Sequence, residues 1–287
     1  MGRIKAALTP YALIFPGGLW LAIFFVIPTV VMLSMSLQTG NVVEGFVFDW
    51  NWHSYADGIA NYHDQIIRSV MYGLVATVIQ IVIGFPVAYW IAFRGGERKS
   101  MYLFLLLLPF LVSFVLRTIS WQFLLSDNGM VLGPLKSLGV LPEDFHILAT
   151  SVAVIGGLAY NFLPFMVLPM YVALERIDPR VVEAAQDLYA SKVQTFLRVV
   201  LPLSLPGVFA GVLMTFVPAT SDYVNASVLG GTGNTMIGNV IQNQYLVNQD
   251  YPTASALSFT LMALLLIGIF AYARALGTDD VLEVAAR

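Results

Sequence analysis

The stretch from Glu183 to Pro202, EAAQDLYASKVQTFLRVVLP, decides how the rest of the chain is read. It lies in a polar island, Glu175 to Arg198, that holds eight charged residues in 24, whereas the whole 287-residue chain has 14 Lys and Arg and 17 Asp and Glu. Long uncharged apolar runs flank the island on both sides. Charged residues make up 11% of the chain and hydrophobic ones 58%, against about 25% charged in an ordinary soluble domain. Charge gathered into one segment between apolar runs predicts a polytopic membrane protein with an aqueous connection at the island. A net charge of −3 gives no reason to expect nucleic acid, and zero cysteines exclude disulfides and thiolate metal sites.

Crossing a hydrocarbon core about 30 Å thick takes roughly 20 apolar residues in a helix. The charge-poor runs predict six spans, at 12–37, 69–93, 100–125, 147–174, 199–221 and 251–273, within one membrane domain covering 1–287. The third run is taken to continue past Arg117 as one helix. The runs are continuous rather than alternating, which predicts an all-α membrane protein and not a barrel. Arg3 and Lys5 precede the first run as in a signal peptide. The run exceeds the roughly 7–15 residues of a signal core and no clear small-x-small cleavage site follows, so an uncleaved span is expected. With both termini cytoplasmic, 11 of the 14 basic residues fall on the cytoplasmic side, Arg3, Lys5, the 94–99 turn, the 175–198 island, Arg274 and Arg287 among them.

The island reads as two short helices. Asp178 followed by Pro179 predicts a helix start, with Asp as N-cap and Pro at the first helical position. Val181, Val182, Ala185 and Leu188 then recur at helical steps and predict one apolar face, with Glu183 and Asp187 off it. Ser191 with Gln194 three residues on predicts a second start through a capping box. An interfacial helix on lipid headgroups and a docking element for a cytoplasmic protein both fit this pattern. Four acids against four bases leave little attraction to anionic lipid.

Glu183-Ala184-Ala185, followed after the expected spacing by Val199 and Leu201-Pro202, resembles the EAA loop of ATP-binding cassette importer permeases. That resemblance implies the type I importer permease fold, with six transmembrane helices and the loop between helices 4 and 5. It also implies a role in contacting an ATPase subunit for Glu183, Ala184, Ala185, Asp187, Leu188 and Tyr189. Tyr189 stands where the family motif has Gly, a residue that permits a left-handed turn which Tyr resists. More of the chain resembles the spermidine/putrescine permease branch. The matching pieces are PGGLWLAIFFVIPTVVMLSMSL (16–37), LPFLVSFVLRTISWQFLLSDNG (108–129) and SDYVNASVLGGTGNTMIGNVIQNQYL (221–246), with MIGN at Met236–Asn239 the most telling. The resemblance implies a transport subunit without catalysis, in the bacterial inner membrane. The partners it implies are an ATPase dimer carrying ATP and Mg, a second related permease, an extracytoplasmic binding protein and membrane lipid. No cofactor and no metal are expected on this chain.

A polyamine site needs carboxylates and aromatic faces. Asp222-Tyr223 supplies one of each, and Asp222, Tyr223, Arg117 and Trp121 are the candidate lining of the substrate path. Asp222 is alternatively a residue that caps a turn, and Arg117 is alternatively its ion-pair partner or a side chain snorkelling to headgroups. Residues 223–249 carry no charge and many Asn, Gln, Thr and Gly, as expected of a water-lined mouth or an outer loop. The first outer loop, 38–67, is rich in aromatics and acids, which fits a partner surface or a bilayer-edge belt. No lysine sits in a P-loop, and no HExxH or GxSxG pattern occurs. An importer permease for another small cationic or organic solute is an open alternative. A secondary transporter is another, although spans one, two, four and six lack charge and no inverted repeat is visible.

Overall fold

A computed structural model of the protein describes residues 14–275. The expectations placed on Arg3, Lys5 and Arg287, and on the first residues of the 12–37 run, lie outside the described residues. Among the described residues, five helices are long and apolar enough to cross a membrane, and a bent pair brings the number to six if it is counted as one span.

In chain order, α1 (Ile14–Ser36) is the first span and contains a π-helical stretch at Ala22–Val26. A short antiparallel hairpin follows, β1 (Gln38–Asn41) with β2 (Gly45–Phe48), in the register Gln38 opposite Phe48. Helix α2 (His53–Arg94) then runs for 42 residues with one non-helical position at Tyr62. The sequence reading placed a loop as far as 67; the helix instead begins 16 residues before Ser69, the predicted start of that span. The charges of His53–Arg68 interrupt the apolar run, yet the segment is helical.

The third span is not one straight helix, which corrects the 100–125 reading. Helix α3 (Lys99–Leu107) passes through a 3-10 turn at Leu108–Leu111, and α4 (Phe114–Leu125) leaves at 85° to it. Pro109 cannot donate a backbone hydrogen bond, and Val112 and Ser113 are extended, so the helical ladder stops there. Helix α5 (Leu132–Ser137) is a short surface turn. Helix α6 (Ser151–Glu175) is the fourth span, capped by the Thr150 hydroxyl, which accepts from Ala153 N. Helix α7 (Pro179–Asp187) lies in the island. Helix α8 runs unbroken from Lys192 to Ser221 through a π-helical stretch at Phe196–Val200. Two short helices, α9 (Val224–Leu229) and α10 (Ile237–Leu246), precede the last span, α11 (Tyr251–Ala275).

The contacts divide the chain into two compact units. One comprises the residues up to His63 with Ile241–Ala263; the other comprises Asp64–Val240 with the residues from Leu264 on. In the first unit, Tyr55 and Ser36 share a hydroxyl hydrogen bond of 2.7 Å, and Gln244 Nε2 donates to Tyr62 Oη at 2.6 Å. Phe46 and Tyr245 both pack on Tyr251. Phe48, Trp50, Trp52 and Tyr55 form a run of neighbouring rings.

The second unit is organised around α6 and α8. Ser204, Gly207, Gly211 and Thr215 are buried along one face of α8. A β-carbon at Gly211 would stand 2.7 Å from Met166 Sδ, and one at Gly207 would stand 2.6 Å from Pro169 O. Small residues thus let the two backbones meet, which is how helices associate when lipid offers no hydrophobic contrast. Phe85, Ala88, Met166, Met170, Leu174 and Val200 fill the core on the island side of this crossing. Ala76, Val154, Leu158, Ala219, Leu229 and Met236 fill it on the other side. Lys99 Nζ meets Glu175 Oε1 at 3.3 Å, which ties the start of the third span to the end of the fourth.

Candidate functional site

The island has the two helices that its caps predict. The Asp178 carboxylate accepts from Arg180 N at 2.9 Å, with Pro179 at the first helical position. Ser191 N donates to Gln194 Oε1 at 2.9 Å and Gln194 N donates to Ser191 Oγ at 3.3 Å, which completes the capping box. Between them α7 closes with two crossing bonds. Ala190 N donates to Ala185 O at 3.1 Å and Tyr189 N donates to Gln186 O at 2.9 Å. This is a Schellman turn, whose penultimate residue is left-handed and usually Gly. Tyr189 occupies it with φ +63°. The expectation that Tyr would resist a left-handed turn is therefore corrected: the turn forms with the Tyr in it. Left-handed backbone costs a β-carbon-bearing residue about 1–2 kcal/mol.

The predicted apolar stripe is only partly buried. Val182 and Phe196 pack against the α2–α6–α8 core, where the Phe196 ring lies 5.6 Å from Phe85 and 6.0 Å from Tyr89. Val181 and Leu188 are exposed, as are Val193 and Leu197. Leu188 leaves the stripe because the chain turns there, with φ −83° and ψ 20°. Glu183, Ala184 and Asp187 are exposed and Ala185 is half-buried. Tyr189 is 97% exposed.

At the far end of α8, Asp222 is buried and caps α9. Its Oδ1 accepts from Asn225 N at 2.7 Å and from Asn225 Nδ2 at 3.2 Å. Asp222 follows the last residue of the fifth span. Burial pushes its carboxyl up to about 6, while the hydrogen bonds from Asn225 and Val224 oppose that rise. The chain of polar contacts continues inward: Asn161 Nδ2 donates to Asn225 Oδ1 at 3.0 Å and to Thr118 Oγ1 at 3.1 Å. Thr118, Asn161, Asn225 and Asp222 are all buried, so this line of side chains links α4, α6 and α9. Gln80 Nε2 adds a tie from α2 to Leu158 O at 3.1 Å. Sequence reasoning missed this network, although Gln80, Thr118 and Asn161 were visible as polar residues inside apolar runs.

Arg117 is not the partner of Asp222. Among the described residues it forms no ion pair. Its guanidinium lies 4.3 Å from the Phe110 ring centroid, with Nε and Nη1 buried and unbonded. Past the break in the third span, Arg117 and Trp121 share a cleft of about 160 Å³ with Ser120, Leu124 and Tyr160. Among the described residues no acid lines this cleft. The structure thus brings Arg117 and Trp121 together, and puts Asp222 and Tyr223 in a different place. Asp222 is inside and the Tyr223 ring is exposed.

The uncharged 223–249 segment is not an open loop. Asn225, Leu229, Met236, Ile237 and Asn239 are all buried. The MIGN residues tie it down. Asn239 Oδ1 accepts from Met236 N at 3.0 Å, and its Nδ2 donates to Tyr223 O at 2.8 Å and Ser227 Oγ at 2.6 Å. Ile237 N donates to Ser69 Oγ at 2.7 Å. A β-carbon at Gly238 would stand 2.5 Å from Ser221 O, so only Gly allows this approach. The glycine run is pinned as well, since Asn234 Nδ2 donates to Ala149 O and Gly230 O.

Fold and site define a multi-pass helical membrane protein with a capped two-helix island outside its spans. Residues 80–276 match the family described as "Binding-protein-dependent transport system inner membrane component", and the chain belongs to that family. It is 36% identical over 257 residues to the spermidine/putrescine transport system permease protein PotB of Haemophilus influenzae, covering 89% of this chain and 90% of that one. Its fold is similar to that of a bacterial ABC transporter involved in import of the acidic polysaccharide alginate. The TM-score is 0.71 at 19% identity, over 96% of this chain and 97% of that one. A second alginate transporter structure, in complex with an alginate-pentasaccharide-bound periplasmic protein, gives a TM-score of 0.65 at 20% identity over 98% and 97%. The protein is thus an inner-membrane permease with the fold of ABC importers.

Proposed function

We propose that this chain is the membrane-spanning subunit of an ATP-driven importer of polyamines, spermidine or putrescine. The observation that carries the proposal is the 36% identity to a spermidine/putrescine permease over nine-tenths of both chains. In this reading 1–287 is one permease domain with both termini cytoplasmic. A dimer of partner ATPases holds ATP and Mg, a second related permease completes the path, and an external binding protein delivers the solute. The family description, binding-protein-dependent, supports the last of these. The island, 175–198, is the coupling loop, with Glu183, Ala184, Ala185, Asp187, Leu188 and Tyr189 facing the ATPase. The exposure of all of these but Ala185, on α7 and the closed turn after it, supports that role. We place Asp222 and Tyr223 in the substrate path. Arg117 and Trp121 are placed there too, on the part of the path where Trp121 and Tyr160 line a cleft with Arg117.

The test is uptake of labelled spermidine and putrescine into proteoliposomes holding the complete complex, with ATP supplied to the ATPase side. ATP-dependent uptake that the unlabelled polyamine competes away is expected. An intact, ATP-hydrolysing complex that moves neither polyamine refutes the proposal.

A further inference from the structure

The turn between the two island helices carries a residue that its backbone disfavours. Tyr189 is left-handed at φ +63° and closes the Schellman turn of α7. Two residues later the capping box of α8 begins. Caps on both sides fix the turn, so the ring projects from a backbone with little freedom to rearrange. The ring is 97% exposed and its neighbour Leu188 is 81% exposed. The two backbone bonds of the turn hold the Tyr there, but a glycine would make the same bonds without the cost, and strain held at an exposed position points to a use elsewhere.

Lipid does not cover this ring. Helix α8 has 30 residues from Lys192 to Ser221, about 45 Å of helix, of which the uncharged run 199–221 takes about 34 Å. Lys192 therefore stands about 10 Å beyond the apolar run, with Tyr189 past it. Glu183, Asp187 and Lys192, its charged near neighbours in the chain, are also exposed. A projecting aromatic ring on a rigid base within a polar rim has the make-up of an interface anchor, because aromatic side chains seated in a partner's pocket dominate binding energy.

We infer that Tyr189, with Leu188 beside it, is an aromatic anchor that inserts into an apolar pocket of the ATPase subunit and sets which ATPase this permease accepts. The inference rests on the proposed coupling role of the island. The partner must then present a pocket deep enough for a phenol ring, which an ATPase that meets a glycine at this position does not need.

The experiment uses the permease pair in lipid nanodiscs, titrated with its ATPase. Tyr189→Gly removes the ring and relieves the backbone; Tyr189→Asn removes the ring but tolerates the left-handed turn; Tyr189→Phe keeps the ring. Expected results are unchanged or raised thermal stability of the permease pair for Gly and Asn, with ATPase affinity at least tenfold weaker. Phe should bind within about threefold of the unmodified protein. A photo-crosslinking residue at Asp187 or Val193 reports on the island separately. If it captures the ATPase while Tyr189→Gly binds normally, the anchor is overturned and the coupling role stands. If neither position captures the ATPase in an active complex, the coupling role itself is overturned, and the anchor with it.

Discussion

Asp222 and Arg117 provide the sharpest test of how charge is used in this membrane domain. The perturbation is Asp222→Asn, Arg117→Gln and the two together. Asn keeps the oxygen that accepts from Asn225 N and Nδ2, and Asn and Asp are equivalent as N-caps. Replacing a buried carboxylate by an amide also removes a desolvation cost, so stability should change by no more than about 1 kcal/mol. Arg117→Gln gives up a cation over the Phe110 ring, at 4.3 Å, for about 0.5–2 kcal/mol. It also removes two buried unbonded nitrogens, each of which costs about 1–3 kcal/mol. The single change should therefore be neutral or mildly stabilising. Because the two side chains do not touch, their effects should add to within about 0.5 kcal/mol. The four proteins are compared by thermal unfolding of the purified complex, beside uptake of labelled spermidine. Asp222→Asn should lower uptake at limiting spermidine by roughly tenfold, the equivalent of one charge-assisted hydrogen bond, and Arg117→Gln should not restore it. A coupling energy above about 1 kcal/mol, with stability regained in the double variant, refutes the separation of the two groups. A stable Asp222→Asn permease with normal uptake removes Asp222 from the path.

Three further outcomes are expected. Asn239→Ala strands Met236 N in a buried site, while Tyr223 O keeps its bond from Ser227 N, and should destabilise the complex by about 1–3 kcal/mol, read as a lowered unfolding temperature; an unchanged temperature contradicts the role given to Asn239. Gly211→Val drives a side chain into Met166, and should cost about 1–3 kcal/mol through overpacking, with the yield of folded permease as the check. Glu183→Arg reverses an exposed charge on α7 and should cut transport at least tenfold, about 1.4 kcal/mol, while the permease still inserts normally; normal uptake by a well-expressed variant contradicts docking at the island.

What could be read in the sequence followed the strength of the local signal. Caps are local chemistry, so Asp178-Pro179 and Ser191 with Gln194 marked both island helices. Continuous apolar runs marked spans one, four, five and six. The break in the third span was hidden, because Val112 and Ser113 are as uncharged as their neighbours and Pro109 alone does not dictate an 85° turn. The helix over His53–Arg68 was hidden for the opposite reason, since its charged residues read as a loop. Asp222 was legible as a turn cap or a site residue, and its hydrogen bonds to Asn225 realise the cap. Its separation from Arg117 depends on the bend in the third span, which no spacing rule reveals. The Asn161–Asn225 contact joins positions 64 apart in the chain, beyond the reach of any periodicity.

The unbroken course of α8 has a mechanical meaning. One end of this helix stands at the Tyr189 turn and the other at the Asp222 cap, so on the roles proposed for those two ends it would act as a lever with its load at one tip and its handle at the other. Pivoted at Phe196–Val200, the arm of about 34 Å that reaches Ser221 swings its tip by about 3 Å for a tilt of about 5°. The π-helical stretch at Phe196–Val200, where the hydrogen-bond ladder is already loosened, is the natural fulcrum. A movement imposed on the island would then arrive at the Asp222 end as a sideways stroke, with no intermediate part that has to unfold.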